Sequence, residues 1–310
     1  MADADAYVDT RLAGSPLVDA RGPAEEIRDW FYWYAMSSLE LPGGIRIRGG
    51  MLTDHVCLRV IEGAKWIVHR QGQPDEEYDP GSDGRVLYFG PQTKHMALSV
   101  TGSFRILTVH LRAGAARVLG GPQTSQSCDS VLDHAELAGH GNLALRFDPA
   151  ASDEEWMRAM DAELGKFVAS RAYAKPDPVI VEFEKASLSK PDLSIARFAE
   201  DRGMSVRTLE RTVRRDYGIP PKLVLRRARA LDMAAAILGV VDPAEEHDLA
   251  MRYFDQSHLI REIRHFFGVT PRELGEQADP LLRVNLEIRQ SRRLEALGRW
   301  TPDQPLPWRR

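Results

Sequence analysis

The stretch LSIARFAEDRGMSVRTLERTVRRDYGIPPKLVLRRARALDMAAAIL, residues 193–238, decides the reading of the C-terminal half. Ile195, Phe198 and Ala199 share one face of a helix expected over about Ser194 to Arg202. Ala199 is small, which lets a second helix cross close by. Gly203 follows four residues later, where a tight turn needs a positive φ that glycine adopts cheaply. Ser205 is a natural N-cap for the next helix. Leu209 and Val213 face inward on that helix and leave Arg207, Thr208, Glu210, Arg211, Arg214 and Arg215 outside. A small residue, a turn glycine, a capping serine and a cationic outer face spell a helix-turn-helix. The second helix of such a unit enters the major groove.

A second segment repeats the pattern: FDQSHLIREIRHFFGVTPREL, residues 254–274. It follows a short helix expected over about Ala244 to Met251, and its own helix starts near Asp255. Leu259, Ile263 and Phe267 face inward; Gln256, Ser257, Ile260, Arg261 and Arg264 face out. Gly268 ends the helix and Pro271 opens a further turn. A long helix, about Pro221 to Leu238, joins the two units.

Over roughly residues 185–275 the chain resembles the AraC-type (AraC/XylS) transcriptional regulators. In the first unit the resemblance rests on Ala199, Gly203, Ser205 and Leu209, on Tyr217-Gly218-Ile219-Pro220, and on Arg229 before the alanine-rich end of the linker helix. In the second it rests on FDQSHLIREIRHFFGVTP, with its DQSH start and GVTP finish. The resemblance implies a seven-helix domain whose two recognition helices enter successive major grooves on one side of double-stranded promoter DNA. It places base-facing positions on Arg207, Glu210 and Arg211, and on Gln256, Ser257, Ile260 and Arg261. The chemistry agrees: Arg reads guanine, Gln adenine, Glu accepts from cytosine and Ile touches a thymine methyl. Arg214, Arg215 and Arg264 lie further along their helices and suit phosphates. His258 suits capping or packing. One residue departs from the pattern: Arg252 stands where the family usually has the turn glycine, in a segment about two residues short.

The N-terminal half has another texture. Of the chain's 24 glycines, 17 lie in the first 150 residues, between short apolar runs such as AKWIVHR (64–70), RVLYFG (85–90), MALSV (96–100) and SFRILTVHL (103–111). These are strands and turns at short spacing, an antiparallel sandwich or small barrel. In IRIR (45–48), Ile45 and Ile47 share one face and Arg46 and Arg48 the other. The aromatic run Trp30 to Tyr34 reads as a buried strand. The fold class is therefore α+β, a β-barrel or sandwich and then an all-α domain with two helix-turn-helix motifs; a glycine-punctuated β domain before an AraC-type region resembles the cupin-like sensory domains of that family. The expected division is 1–149 sensory or dimerisation domain, 150–184 linking helix and boundary, 185–278 DNA-binding domain, 279–310 helical extension.

With 310 residues, 43% hydrophobic and 28% charged, the chain is neither wholly disordered nor fibrous. No run approaches the ~20 apolar residues of a membrane helix, and the acidic N-terminus lacks the apolar core of a signal peptide; a cytoplasmic protein is expected. Residues 1–184 carry 18 Lys and Arg against 27 Asp and Glu, and residues 185–310 carry 23 against 18. The C-terminal half is thus the one suited to a polyanion. Cys57 and Cys128 read as two inert thiols. Cupins are often metal enzymes, but His55, His69, His95 and His110 form no His-x-His pair, so no metal, cofactor or catalytic centre is expected.

Trp33, His55, Trp66, Tyr88 and His95 are candidates to line a small-molecule pocket. The helix expected over 152–172 opens with a capping box, Ser152 and Glu155. Its stripe of Trp156, Met160, Leu164 and Phe167 is the candidate homodimer contact, with packing on its own β domain as the alternative. The tail 279–300 reads as another amphipathic helix, one use of which is docking on the sensory domain. Together these readings give a sequence-specific transcription regulator modulated by a small molecule, with RNA polymerase as a further partner. The rivals are a cupin enzyme fused to a DNA-binding module and a ligand-independent DNA-binding dimer.

Overall fold

The computed structural model describes residues 17–41, 44–138, 147–243, 256–277, 279–301 and 304–309. The strands are β1 (Leu17–Arg21), β2 (Phe31–Leu39), β3 (Arg46–Met51), β4 (Cys57–His69), β5 (Glu76–Tyr78), β6 (Arg85–Phe89), β7 (Met96–Leu111) and β8 (Val131–Asp133). Three short helices, α1 (Ala115–Val118), α2 (Thr124–Ser127) and α3 (His134–Ala138), accompany the last strands. The longer helical part follows as α4 (Asp153–Ala169), α5 (Pro178–Ser189), α6 (Ile195–Glu200), α7 (Val206–Tyr217), α8 (Pro221–Ile237), α9 (Gln256–Phe267), α10 (Pro271–Glu276) and α11 (Pro280–Ala296).

The strands form one antiparallel sheet in the order β1-β2-β7-β4-β6-β8. Strand β7 organises it: β4 runs along one side, while β3 and then β2 pair with its two halves on the other. The runs MALSV and SFRILTVHL are therefore one strand. Gly102, at φ +96°, lets it bend between them, and the register with β4 shifts at Gly63. A Cβ on Gly63 would lie 2.7 Å from the Ser103 carbonyl oxygen, so this bulge needs glycine.

Alternation sends side chains to two faces, and both are covered. Tyr34, Met36, Leu58, Val60, Val86, Tyr88, Leu107 and Val109 pack against Trp156, Met157, Met160 and Leu164 of α4. That helix begins with the expected capping box. Its four buried side chains each contribute roughly 1.5–3 kcal/mol. Their burial corrects the dimer candidates: Trp156, Met160 and Leu164 face the sheet, and Phe167 is half-buried and stacked on Tyr173 with ring centroids 5.2 Å apart.

The opposite face, with Trp33, Ala35, Cys57, Ile61, Trp66 and Phe89, meets α11. Leu281 joins the sheet core, and Ile288, Leu294 and Trp300 pack on Trp33 and Ala35. Leu282 and Leu286 of the same helix point instead into the helical bundle, beside Ile263, Phe266, Phe267 and Leu274. Helix α11 is thus a wedge between the two domains. Gly49 of β3 makes room for its start, because a Cβ there would run into Asp279, the N-cap of α11.

Helix α5 crosses the expected boundary at 185: Ile180 and Phe183 share a core with Phe198, Leu209, Val213, Tyr217, Val224 and Leu225. The first half of α8 belongs to that core. Its second half, from Ala230, belongs to the core of α9, α10 and α11. No described helix is long and apolar enough to cross a membrane.

Candidate nucleic-acid interface

The first unit is assembled by local hydrogen bonds. Ser194 caps α6 by accepting from the Arg197 amide at 3.3 Å. Ala199 is buried at the crossing, and Gly203 adopts φ +62° in open space. Ser205 caps α7, its hydroxyl accepting from the Thr208 amide at 3.1 Å. Leu209 and Val213 are fully buried, so the helix can present only one face outward.

That face carries Arg207, Glu210, Arg211 and Arg214, all exposed and with no ion pair or side-chain hydrogen bond among the described residues. Val206, 40% exposed, adds an apolar side chain to that face at the first turn. Two expected members stand differently. Thr208 is half-buried, and its hydroxyl lies 2.9 Å from that of Ser205, so it belongs to the cap. Arg215 is held within the protein: its Nε and Nη2 donate to Asp216 at 2.9 and 2.6 Å, and Nη2 reaches Asp177 at 3.2 Å. These bonds, Asp216 foremost, push its pKa up.

In the second unit, α9 exposes Ser257, Ile260, Arg261, Arg264 and His265. Ile260 is 37% exposed, unusual for so large an apolar side chain. Arg261 donates to the Ser257 carbonyl at 3.1 Å. Gly268, at φ +75°, ends the helix, and Thr270 with Glu273 forms a capping box at α10. A two-pronged contact, with Arg226 Nη2 donating to Glu262 at 2.8 Å and Nε at 3.1 Å, ties α8 to α9. The side chains of Gln256 and His258, the expected helix over 244–251 and Arg252 lie outside the described residues.

The sheet domain grips the end of α7. Asp216 is fully buried and accepts from Arg117 Nε of α1 at 2.7 Å. Tyr217 packs its ring against His55, centroids 5.8 Å apart. Gly218, at φ +75°, caps α7 directly under Thr124, whose carbonyl oxygen is 2.8 Å from where a Cβ would sit. Farther along, Arg227 of α8 is fully buried and donates to the carbonyls of Gln92 at 2.5 Å and Asp54 at 2.7 Å. Burial pulls its pKa down. Burial also works to raise Asp54, but His55, Arg289 and Arg227 around it outweigh that and hold its carboxyl below the usual range.

The five pocket candidates are not brought together. Trp33 packs on Trp300, Tyr88 lies in the core on the α4 side, and His95 faces Asp279 and Phe267. Trp66 borders a cavity of about 30 Å³ beneath α11. His55 borders one of about 10 Å³ near Tyr217. Helix α11 covers the sheet face that carries Trp33 and Trp66. Residues outside that list do more for the architecture: Asp216, Arg117, Arg227 and Asp54 join the domains. Arg117 and Asp54 show in the sequence as single charges among uncharged neighbours, whereas Asp216 and Arg227 lie in charged runs that hide them. Among the described residues no group of three or more His, Cys, Asp and Glu is placed to hold a metal ion.

Residues 198–277 match the helix-turn-helix domain family. This part of the chain is a helix-turn-helix domain of the AraC type. No curated protein sequence matches the chain. Among solved structures, the chain is similar to ToxT from Vibrio cholerae O395 at 9% identity and a TM-score of 0.41, over 78% of this chain and 97% of that one. The unsaturated-fatty-acid-bound ToxT of Vibrio cholerae strain SCE256 gives 9% and 0.40, over 84% and 95%. The AraC-like transcriptional activator CuxR gives 13% and 0.25, over 84% and 92%.

Proposed function

We propose that the chain is a transcription regulator that binds duplex DNA through α7 and α9 and carries out no catalysis. The observation that carries the reading is the outer face of α7: Arg207, Arg211 and Arg214 are exposed, and unpaired among the described residues, on a helix fixed by its cap, its core residues and its docked C-terminal end. On this reading Arg207 and Arg211 read guanine, Glu210 accepts from cytosine, and Arg261 and Ile260 do the corresponding work on α9. Arg214 and Arg264 take phosphates, which position the protein without specifying sequence.

The sheet domain, within 1–149, is the regulatory part, and the DNA-binding part runs from α5 at Pro178, rather than from 185, to 278, with 279–310 as the helical extension. An effector that alters it changes the support of α7 through Asp216, Tyr217 and Gly218, which couples the two sites. A homodimer on paired half-sites and contact with RNA polymerase fit a regulator, but the buried stripe of α4 serves neither.

The experiment is binding of the full-length chain to a duplex of arbitrary sequence at several salt concentrations. Each phosphate contact contributes about 0.9 to the slope of log affinity against log salt. R214A and R264A each lower that slope by about 1. R215A leaves it unchanged, because Arg215 is already held by Asp216 and Asp177. Equal slopes for wild type, R214A and R264A would contradict the assignment.

A further inference from the structure

We propose that the space between the sheet and α11 is a binding site for a small monovalent anion, with Arg59 as its charged anchor. Arg59 of β4 lies opposite Thr108 of β7, on the face that α11 closes. The cavity of about 30 Å³ there is bordered by Arg59, Trp66, Ser37 and Thr108 from the sheet and by Asn285 and Leu281 from α11. Three of these buried side chains carry a polar atom with no partner: Nε of Arg59, Nε1 of Trp66 and Oδ1 of Asn285.

The decisive point is charge. Arg59 is 7% exposed, and no carboxylate among the described residues lies within 4.0 Å of it. Its guanidinium stacks over Phe89 at 4.7 Å from the ring centroid, an attraction small beside the cost of burying a bare charge. The neighbouring Cys57 supplies no counter-charge: burial pushes its thiol up, so it stays protonated. A buried ion needs a partner of opposite sign. A water molecule would satisfy the Trp66 and Asn285 groups but leave the charge.

Size sets the class. A cavity of about 30 Å³ holds one or two water-sized bodies. The occupant is therefore monatomic or compact, such as chloride or nitrate. Trp66 and Arg59 donate to it, and the Asn285 amide, turned over, presents its NH₂ in place of the lone oxygen. Because Asn285 sits on α11, occupancy fixes the wedge between the domains. The site is separate from the DNA-reading face, so its failure would leave the DNA reading standing.

The test is a thermal titration of the full-length chain, replacing sodium gluconate by sodium chloride at constant ionic strength. Gluconate is too large for the cavity. The expected result is a saturable rise in Tm of about 2–4 °C, absent in R59M. Coincident curves in the two salts, or a chloride response in R59M equal to wild type, would overturn the proposal. Should R59M not fold, wild-type crystals grown in bromide decide. Anomalous density beside Arg59 Nε and Trp66 Nε1 is expected, and its absence refutes the site.

Discussion

Replacing Asp216 by Asn tests the grip of the sheet domain on α7. The side chain is fully buried and accepts three charge-assisted hydrogen bonds: Arg117 Nε at 2.7 Å, Arg215 Nε at 2.9 Å and Arg215 Nη2 at 2.6 Å. Asn keeps the shape but loses the charge, and it turns an NH₂ toward guanidinium donors. A charge-assisted bond contributes roughly 1.5–3 kcal/mol against roughly 1 for a neutral one, so the loss is about 1 kcal/mol per bond. The two arginines are 37% and 41% exposed. Solvent screening removes about half of that sum, while the misdirected amide adds some back. The net cost is about 1.5–2 kcal/mol, or about 2–3 °C in Tm for a chain of 310 residues.

Calorimetry on D216N and on R117M separates two effects. Both variants lose stability. D216N also weakens two of the three bonds that hold Arg215 and leaves the one to Asp177 at 3.2 Å; in D177N/D216N Arg215 is released, reaches a phosphate and raises the salt slope of DNA binding by about 1. A Tm within 1 °C of wild type for D216N would refute the ion-pair cluster. An unchanged slope in D177N/D216N would refute the claim that these two carboxylates withhold Arg215 from DNA.

Two further outcomes follow from the same structure. G203A, at φ +62° in open space, costs about 1–2 kcal/mol for its backbone alone. G218A, at φ +75° against the Thr124 carbonyl and the Cys128 sulfur, costs more and also loosens the domain contact; equal urea midpoints for the two would contradict that contact. Desolvation first, and then the Arg59 charge, pushes His110 down from 6.5 to about 3. Between those values the unfolded chain binds a proton that the folded chain refuses. This contribution is complete above pH 6.5 and is lost as pH falls toward 3, by about 1.4 kcal/mol per unit. Wild type loses about 2 kcal/mol more than H110Q between pH 7 and pH 5; parallel pH profiles would exclude the effect.

The helical units were legible because their signals are local. Ser194, Gly203, Ser205, Gly218, Ser152 and Thr270 each act within four residues of themselves, and each stands where its cap or turn requires. The sheet was legible as strands but not as pairings. Nothing near residues 96–111 announces that β3 and β2 share one edge of the same strand. Trp33 and Trp66 stood out as candidates to line a pocket, but the sequence does not show what lies across from them; a helix more than 200 residues away fills that place. Trp156, Met160 and Leu164 posed the same ambiguity, because an apolar stripe looks alike whether it meets its own sheet or a second copy. Arg215 looked like its neighbour Arg214 until Asp177 and Asp216 came beside it from outside its own turn and within it.

The central claim is that this chain reads DNA sequence with two helices. Its most direct test is selection of bound sites from a random duplex pool, using the full-length protein at near-physiological salt. The account predicts enrichment of two sequence blocks about one helical turn, ~10 base pairs, apart. One block should weaken in R207A and R211A, and the other in R261A. Recovery of no motif, with binding that only tracks salt concentration, would contradict it.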